Sequence, residues 1–136
     1  MAGDLKFIKE NEIKEIERDF SHFKSKVLGI ILFGSRVNRE EHERSDVDIC
    51  LVAPDYNSGK LFNEIIKSRV TEKYDVKIFE LLPLKLKGTI LENHRIIWSK
   101  DEKELSYYLH KWRRVWEDQK LSLKKLGIKI FSKYPT

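Results

Sequence analysis

Residues 31–52 read ILFGSRVNREEHERSDVDICLV. They follow from a nearly continuous apolar run, Val27 to Phe33, that stops at Gly34-Ser35. A short run of this kind, bounded by a turn, reads as a buried strand. Arg36 to Arg44 is polar and highly charged, and Ser45 to Ala53 (SDVDICLVA) reads as a second strand, polar at its start and apolar beyond. Side chains two apart on a strand point to the same side. Asp46 and Asp48 therefore aim at one spot, about 6–7 Å apart along the backbone. Two carboxylates aimed at one point repel unless a cation sits between them. Hard oxygen ligands suit Mg²⁺, which takes one or two carboxylates, waters and substrate phosphates. The Gly34-Ser35 turn supplies the matching half. Glycine lets backbone N–H groups approach a phosphate closely, and the Ser35 hydroxyl adds a donor.

A third carboxylate facing the same cleft is expected from a neighbouring strand. Tyr74 to Glu80 (YDVKIFE) alternates as a strand and carries Asp75 at its start. Lys77 and Phe79 share the face of Asp75, and Lys77 is placed to neutralise phosphate charge. In metal-assisted phosphoryl transfer, a third carboxylate can ligate metal and help deprotonate the incoming hydroxyl. The candidate catalytic residues and metal ligands are thus Asp46, Asp48 and Asp75. The candidate nucleotide-binding residues are Gly34, Ser35 and Arg36, the last beside the phosphate turn, with a solvated loop as its plainer reading.

The rest of the chain alternates helix and strand. Leu5, Ile8, Ile13, Ile16, Phe20 and Phe23 recur at near-helical spacing, predicting a helix over residues 4–25. Lys60 to Val70 predicts a short amphipathic helix, Pro83 to Glu92 a helix starting near its proline, and Arg95 to Trp98 a brief strand. A long helix follows from about Asp101 to Leu126, closed by Gly127. Its stripe of Leu105, Leu109, Trp112 and Trp116 predicts packing on its own core, with a partner interface as the minority reading. No repeat or linker interrupts the chain, which predicts one mixed α/β domain over residues 1–136.

Composition narrows the class. The 136 residues are 40% apolar and 36% charged, a globular balance, and no apolar run approaches the roughly 20 residues needed to span a bilayer. Met1 to Glu10 is already mixed with charge, unlike a secretory signal. A lone Cys50 excludes an internal disulfide and a cysteine-built metal site. These features predict a cytoplasmic protein. His22, His42, His94 and His110 lack metal-ligand spacing and read as surface or structural. The net charge of +5 is concentrated late: residues 109–136 hold eight Lys/Arg against two acids, whereas residues 1–108 hold 19 basic and 20 acidic groups. A basic segment suits nucleic acid, nucleotide phosphates or an acidic partner, and equally a solvated helix face. No nucleic-acid partner is required by this reading.

Gly-Ser, ten residues, Asp-x-Asp and a later strand-borne Asp resemble the polymerase-β-like nucleotidyltransferase superfamily. The short length resembles its minimal nucleotidyltransferases, the small proteins associated with HEPN-domain partners. The resemblance runs from about Val27 to Trp98, including the helix–turn–strand finish TILENHRIIWS. It implies a polymerase-β-like α/β fold: a short mixed sheet flanked by helices, with the helix over 101–126 as an added C-terminal extension to a core at about 27–98. It also implies a nucleoside triphosphate donor, ATP by family precedent, and Mg²⁺ as cofactor. The reaction would transfer a nucleoside monophosphate, usually AMP, to an acceptor hydroxyl, with pyrophosphate leaving. Gly34 and Ser35 would bind the β- and γ-phosphates, Asp46 and Asp48 would ligate metal, and Asp75 would ligate metal and activate the acceptor. Relatives paired with HEPN ribonucleases act as antitoxins that adenylylate a partner tyrosine, which makes a HEPN-type toxin the expected acceptor here. The alternatives are a small-molecule acceptor, or a non-catalytic module that binds nucleotide or partner. The loop from Arg39 to Arg44 departs from the resemblance in being more acidic.

Overall fold

The apolar run ending at Phe33 forms a central strand of the sheet. In a computed structural model of the protein, which describes residues 9–34 and 47–127, the chain builds α1 (Glu10–Asp19), β1 (Gly29–Phe33), β2 (Val47–Val52), α2 (Ser58–Ser68), β3 (Tyr74–Ile78), α3 (Leu84–Glu92), β4 (His94–Ser99) and α4 (Glu102–Lys125). The strands lie in the order β3-β2-β1-β4. β1 pairs antiparallel with β2 and β4, and β2 pairs parallel with β3. The parallel pair requires a crossover, which α2 provides.

The central strands are covered on both faces, which is why their sequences are unbroken apolar runs. Ile30, Leu32, Ile49 and Leu51 join α1, α2 and Ile78 in one cluster. Ile31, Phe33, Cys50 and Val52 face the other way, into a cluster with Phe79, Ile90, Leu91, Leu105 and Leu109. The period of two thus sorts each strand between two cores. The expected opening helix is shorter at its C-terminal end than its apolar spacing implies. The backbone leaves helical geometry at Phe20 (φ −103°, ψ 10°), and a single 3₁₀ turn, Ser21–Phe23, follows. Phe20 and Phe23 are fully buried by this turn. The β3 strand likewise stops at Ile78, and Phe79–Leu81 forms a 3₁₀ turn.

Local chemistry fixes the helix ends. Asn57 and Asp101 cap α2 and α4 by accepting from the N–H of Lys60 (2.8 Å) and Glu104 (3.0 Å). Gly127, at φ +79°, follows the end of α4 and donates to the Lys124 carbonyl at 2.9 Å. None of the helices, among the described residues, is long and apolar enough to cross a membrane.

α4 lies along α3 and across the sheet. Leu105 packs over Gly29, whose added Cβ would sit 2.7 Å from Leu105 Cδ2. Tyr108 donates to Glu80 Oε2 at 2.8 Å, and Glu80 Oε1 accepts from the Ala53 N–H at 3.0 Å. One carboxylate therefore ties α4 to the end of β2. Trp116 is 2% exposed and donates through Nε1 to Glu92 Oε2 at 2.9 Å. The aromatic stripe is consumed by the protein's own core as far as Trp116. Arg113 and Lys120 also bond to α3, through the Leu91 carbonyl (2.7 Å) and Glu92 (2.7 Å), while Arg113 stays exposed.

The α3–α4 approach is close because residue 88 has no side chain. A Cβ there would lie 2.3 Å from Trp116 Cε2. Gly88→Ala gains about 1 kcal/mol of helix propensity but forces Trp116 out of its slot, and overpacking costs about 1–3 kcal/mol, occasionally more. The expected net loss is about 1 kcal/mol, read as a lower denaturation midpoint at unchanged m-value. An unaltered midpoint would mean that the α3–α4 contact is loose.

Candidate active site

The end of β1, the start of β2 and the start of β3 meet at one end of the sheet. Register there is specific: Asp48 lies beside Asp75 across the parallel pair and beside Phe33 across the antiparallel pair. Phe33 in turn pairs with His94 of β4. Asp75, Asp48, Phe33 and His94 form one transverse row. Asp48 shares its face with Cys50 and Val52, two and four residues on, and so faces the α3–α4 side. Neighbouring strands are about 4.8 Å apart, so the two carboxylates stand side by side on that face.

Gly34 closes the row from above. Its φ is +94°, outside the range an L side chain readily adopts. An added Cβ would meet Asp48 Oδ2 at 2.1 Å and Cγ at 2.7 Å. The sequence argument asked for glycine so that a phosphate could approach. The structure adds a second demand, since only glycine leaves room for the Asp48 carboxylate.

Asp75 is steadied from both directions. On its own face, Lys77 Nζ lies 3.4 Å from Asp75 Oδ1. Behind the strand, the preceding residue, Tyr74, is buried and donates its hydroxyl to Asp19 of α1. Lys73 bonds the same carboxylate at 3.1 Å and also pairs with Glu15. Burial pushes the Tyr74 hydroxyl up, and the Asp19 carboxylate adds to it. Burial alone would raise Asp19, but the bonds from Tyr74 and Lys73 outweigh it and leave that carboxyl below its ordinary value. The start of β3 is thus anchored to α1 by a charge-assisted network.

Of the residues singled out from sequence, Gly34, Asp48 and Asp75 are brought together. Ser35, Arg36 and Asp46 lie outside the described residues, as do Arg39 to Arg44. Among the described residues no group of three or more His, Cys, Asp or Glu side chains is placed to hold a metal ion. The pair that is described fits a hard cation in its chemistry: two carboxylates on adjacent strands and one face. Sequence reasoning gave His94 no place in the site because histidine spacing carries no cross-strand information. Its Nδ1–H donates to the Ile90 carbonyl at 2.9 Å. Burial, with Arg113 nearby, lowers its pKa against the raising effect of that bond. A neutral ring locked to α3 is a structural histidine. Cys50 is fully buried, and burial raises its thiol far above the ordinary range, so it is inert packing.

Solved structures share this architecture at low sequence identity. A toxin–antitoxin complex with AMP-PNP contains a chain that superposes with a TM-score of 0.65 at 16% identity, covering 84% of this chain and 94% of that one. The MNT antitoxin complex with tri-AMPylated Shewanella oneidensis HEPN toxin gives 0.59 at 15% identity, over 84% and 91%. Such identities speak for the fold alone. Sequence relatives are nearer. A protein of Methanocaldococcus jannaschii named as a candidate protein adenylyltransferase (MJ1547) is 48% identical over 94 residues, 69% of this chain and 73% of that protein. A second from the same organism, named likewise (MJ0141), is 37% identical over 73 residues, 52% of this chain and 74% of that protein. The sequence model of the family described as polymerase beta, nucleotidyltransferase, matches residues 11–103, a span that contains both carboxylates, the glycine above them and the whole sheet. The chain belongs to the polymerase-β nucleotidyltransferase family.

Proposed function

We propose that this nucleotidyltransferase moves AMP from ATP to a hydroxyl of a protein partner, a tyrosine of a HEPN-type toxin, and so serves as the antitoxin of a two-protein system in the cytoplasm. The observation that carries the reading is the register pair Asp48–Asp75 with Gly34 packed on Asp48. A live transferase needs both acids on one face beneath a backbone that phosphates can approach. The names of the M. jannaschii relatives, and the AMPylated HEPN toxin in one structural neighbour, support protein as the acceptor class and AMP as the group transferred.

In this reading Asp46, Asp48 and Asp75 hold Mg²⁺. When bound, the ion supplies charge neutralisation at the triphosphate and acidifies the acceptor hydroxyl. Gly34 and Ser35 receive the β- and γ-phosphates through N–H groups and the Ser35 hydroxyl, with Arg36 beside them. The acceptor oxygen attacks the α-phosphorus in line, a new O–P bond forms, and the bond from the α-phosphorus to the bridging oxygen breaks. Pyrophosphate leaves with that electron pair. The acceptor's proton passes to the Asp75 carboxylate, the acid farthest along the row from the Gly34 turn.

The test uses ATP labelled in its adenine, Mg²⁺, and a HEPN-domain protein encoded beside this chain. The expected result is label on a tyrosine of that protein and release of pyrophosphate. Label appearing only on small hydroxyl compounds would move the acceptor class, and no transfer to any acceptor would reduce the chain to a binding module.

A further inference from the structure

Lys77 stands one side-chain step inward from Asp75 on the same face of β3. In register it lies beside Cys50, which is fully buried, and the face is closed farther in by Phe79 and Val52, buried as well. Its stem therefore lies against apolar surface while the ammonium reaches outward to Asp75 Oδ1 at 3.4 Å. The pair is about one-third exposed on the lysine side and somewhat more on the aspartate side. Lys87, on the helix packed against the same face, is turned away. It donates to the Leu82 carbonyl at 2.6 Å and sits 4.5 Å from the Trp112 ring centroid.

The geometry points to Lys77 as an internal counter-ion that changes partner when the site is loaded. With no divalent cation present, Lys77 offsets the charge that Asp75 places beside Asp48. A divalent cation held by the same carboxylates repels an ammonium 3.4 Å from one of them, so the pair must open. Lysine is suited to leave, because it carries a compact charge on a flexible stem with three donors. The triphosphate that arrives with the cation is the nearest new acceptor on that face, and lysine binds phosphate as a point charge. This inference rests on the proposed placement of a metal–triphosphate at Asp48 and Asp75. It adds a consequence of its own: Lys77 opposes the cation alone and favours the cation with nucleotide, so the two bind cooperatively.

The experiment compares wild type with Lys77→Met and Lys77→Arg by calorimetry. Each is titrated with Mn²⁺ alone and with AMP-PNP in saturating Mg²⁺. An exposed ion pair contributes about 0.2–1 kcal/mol, so Lys77→Met should bind Mn²⁺ alone up to about fivefold more tightly. A charge-assisted phosphate contact contributes more, so the same variant should bind AMP-PNP about tenfold more weakly. Lys77→Arg should stay near wild type in both. Opposite shifts support the exchange. Two constants within twofold of wild type, or shifts of one sign, overturn it. Lys77→Gln serves the same comparison if the methionine variant does not fold. A wild-type protein that binds neither probe overturns the functional reading and the exchange together, whereas unchanged variants of a protein that binds both overturn the exchange alone.

Discussion

Asp48→Asn is expected to lower nucleotidyl transfer by about a thousandfold or more while leaving the fold intact. The carboxylate lies at the middle of the active row, between Asp75 and the Gly34 turn. Charge stabilisation through a carboxylate-held metal is worth several kcal/mol in the transition state, and about 4 kcal/mol is a thousandfold. Asparagine keeps the shape under Gly34 and removes one of two neighbouring negative charges, so stability without metal should hold or rise slightly, by up to about 0.5 kcal/mol. Steady-state transfer assays and urea denaturation of the same preparation check both halves. Loss of stability together with activity would recast Asp48 as a structural residue.

Gly34→Ala attacks the same point from the other side. The new methyl has no place to go, because its position lies 2.1 Å from Asp48 Oδ2 and the backbone there holds φ +94°. Either the β1 turn abandons its left-handed geometry or the Asp48 side chain moves off the row. The strained backbone conformation costs about 1–3 kcal/mol, and a displaced metal ligand costs activity on the scale of its removal. Midpoint denaturation should fall by about 2 kcal/mol, and transfer should drop at least about a hundredfold. Replacing Gly59, which has only Asn57 Oδ1 near its added Cβ at 3.4 Å, is the matched control. Alanine at Gly34 with wild-type turnover would show that the phosphate turn needs neither a glycine nor a close approach to Asp48.

Much of this was legible because the chemistry is written in strands. A period of two places Asp48 on the face of Cys50 and Val52 without knowledge of any partner, and the apolar runs of residues 27–33 and 49–53 announce strands covered on both faces. Asp75 was legible as an acid at the start of a neighbouring strand, expected to face the same cleft. That it sits beside Asp48, rather than a residue earlier or later, is a matter of parallel register, which no local pattern encodes. His94 reached the same row by register alone. The long C-terminal helix was legible in length and stripe, but not in depth. Gly88 looks like a helix-weakening residue in sequence, and only the packed structure explains it as the slot for Trp116. The bonds of Arg113 and Lys120 to α3 were hidden for the same reason: a sequence does not show which carbonyl or carboxylate on another helix a surface charge reaches. The stretch 35–46 contributes Ser35, Arg36 and Asp46 to the sequence reading and lies outside the described residues.

The parallel pairing of β2 with β3 makes accuracy of chemistry a question of alignment on an outer strand. Among the described residues, β3 has a neighbour on one side only. A slip of one residue would bring Tyr74 or Val76 beside Asp48 and turn the second carboxylate to the opposite face. The two carboxylates do not themselves favour the alignment, because a pair of like charges gains nothing by standing together; on their face it is Lys77 and the buried Phe79 that resist a slip. The alignment is also enforced from the reverse side, where Tyr74 and Lys73 are fastened to Asp19 and Ile78 is sunk in the α1–α2 core. Residues that never meet a substrate thus help to hold the gauge of the site, and part of its fidelity is decided on the far side of the sheet from the reaction.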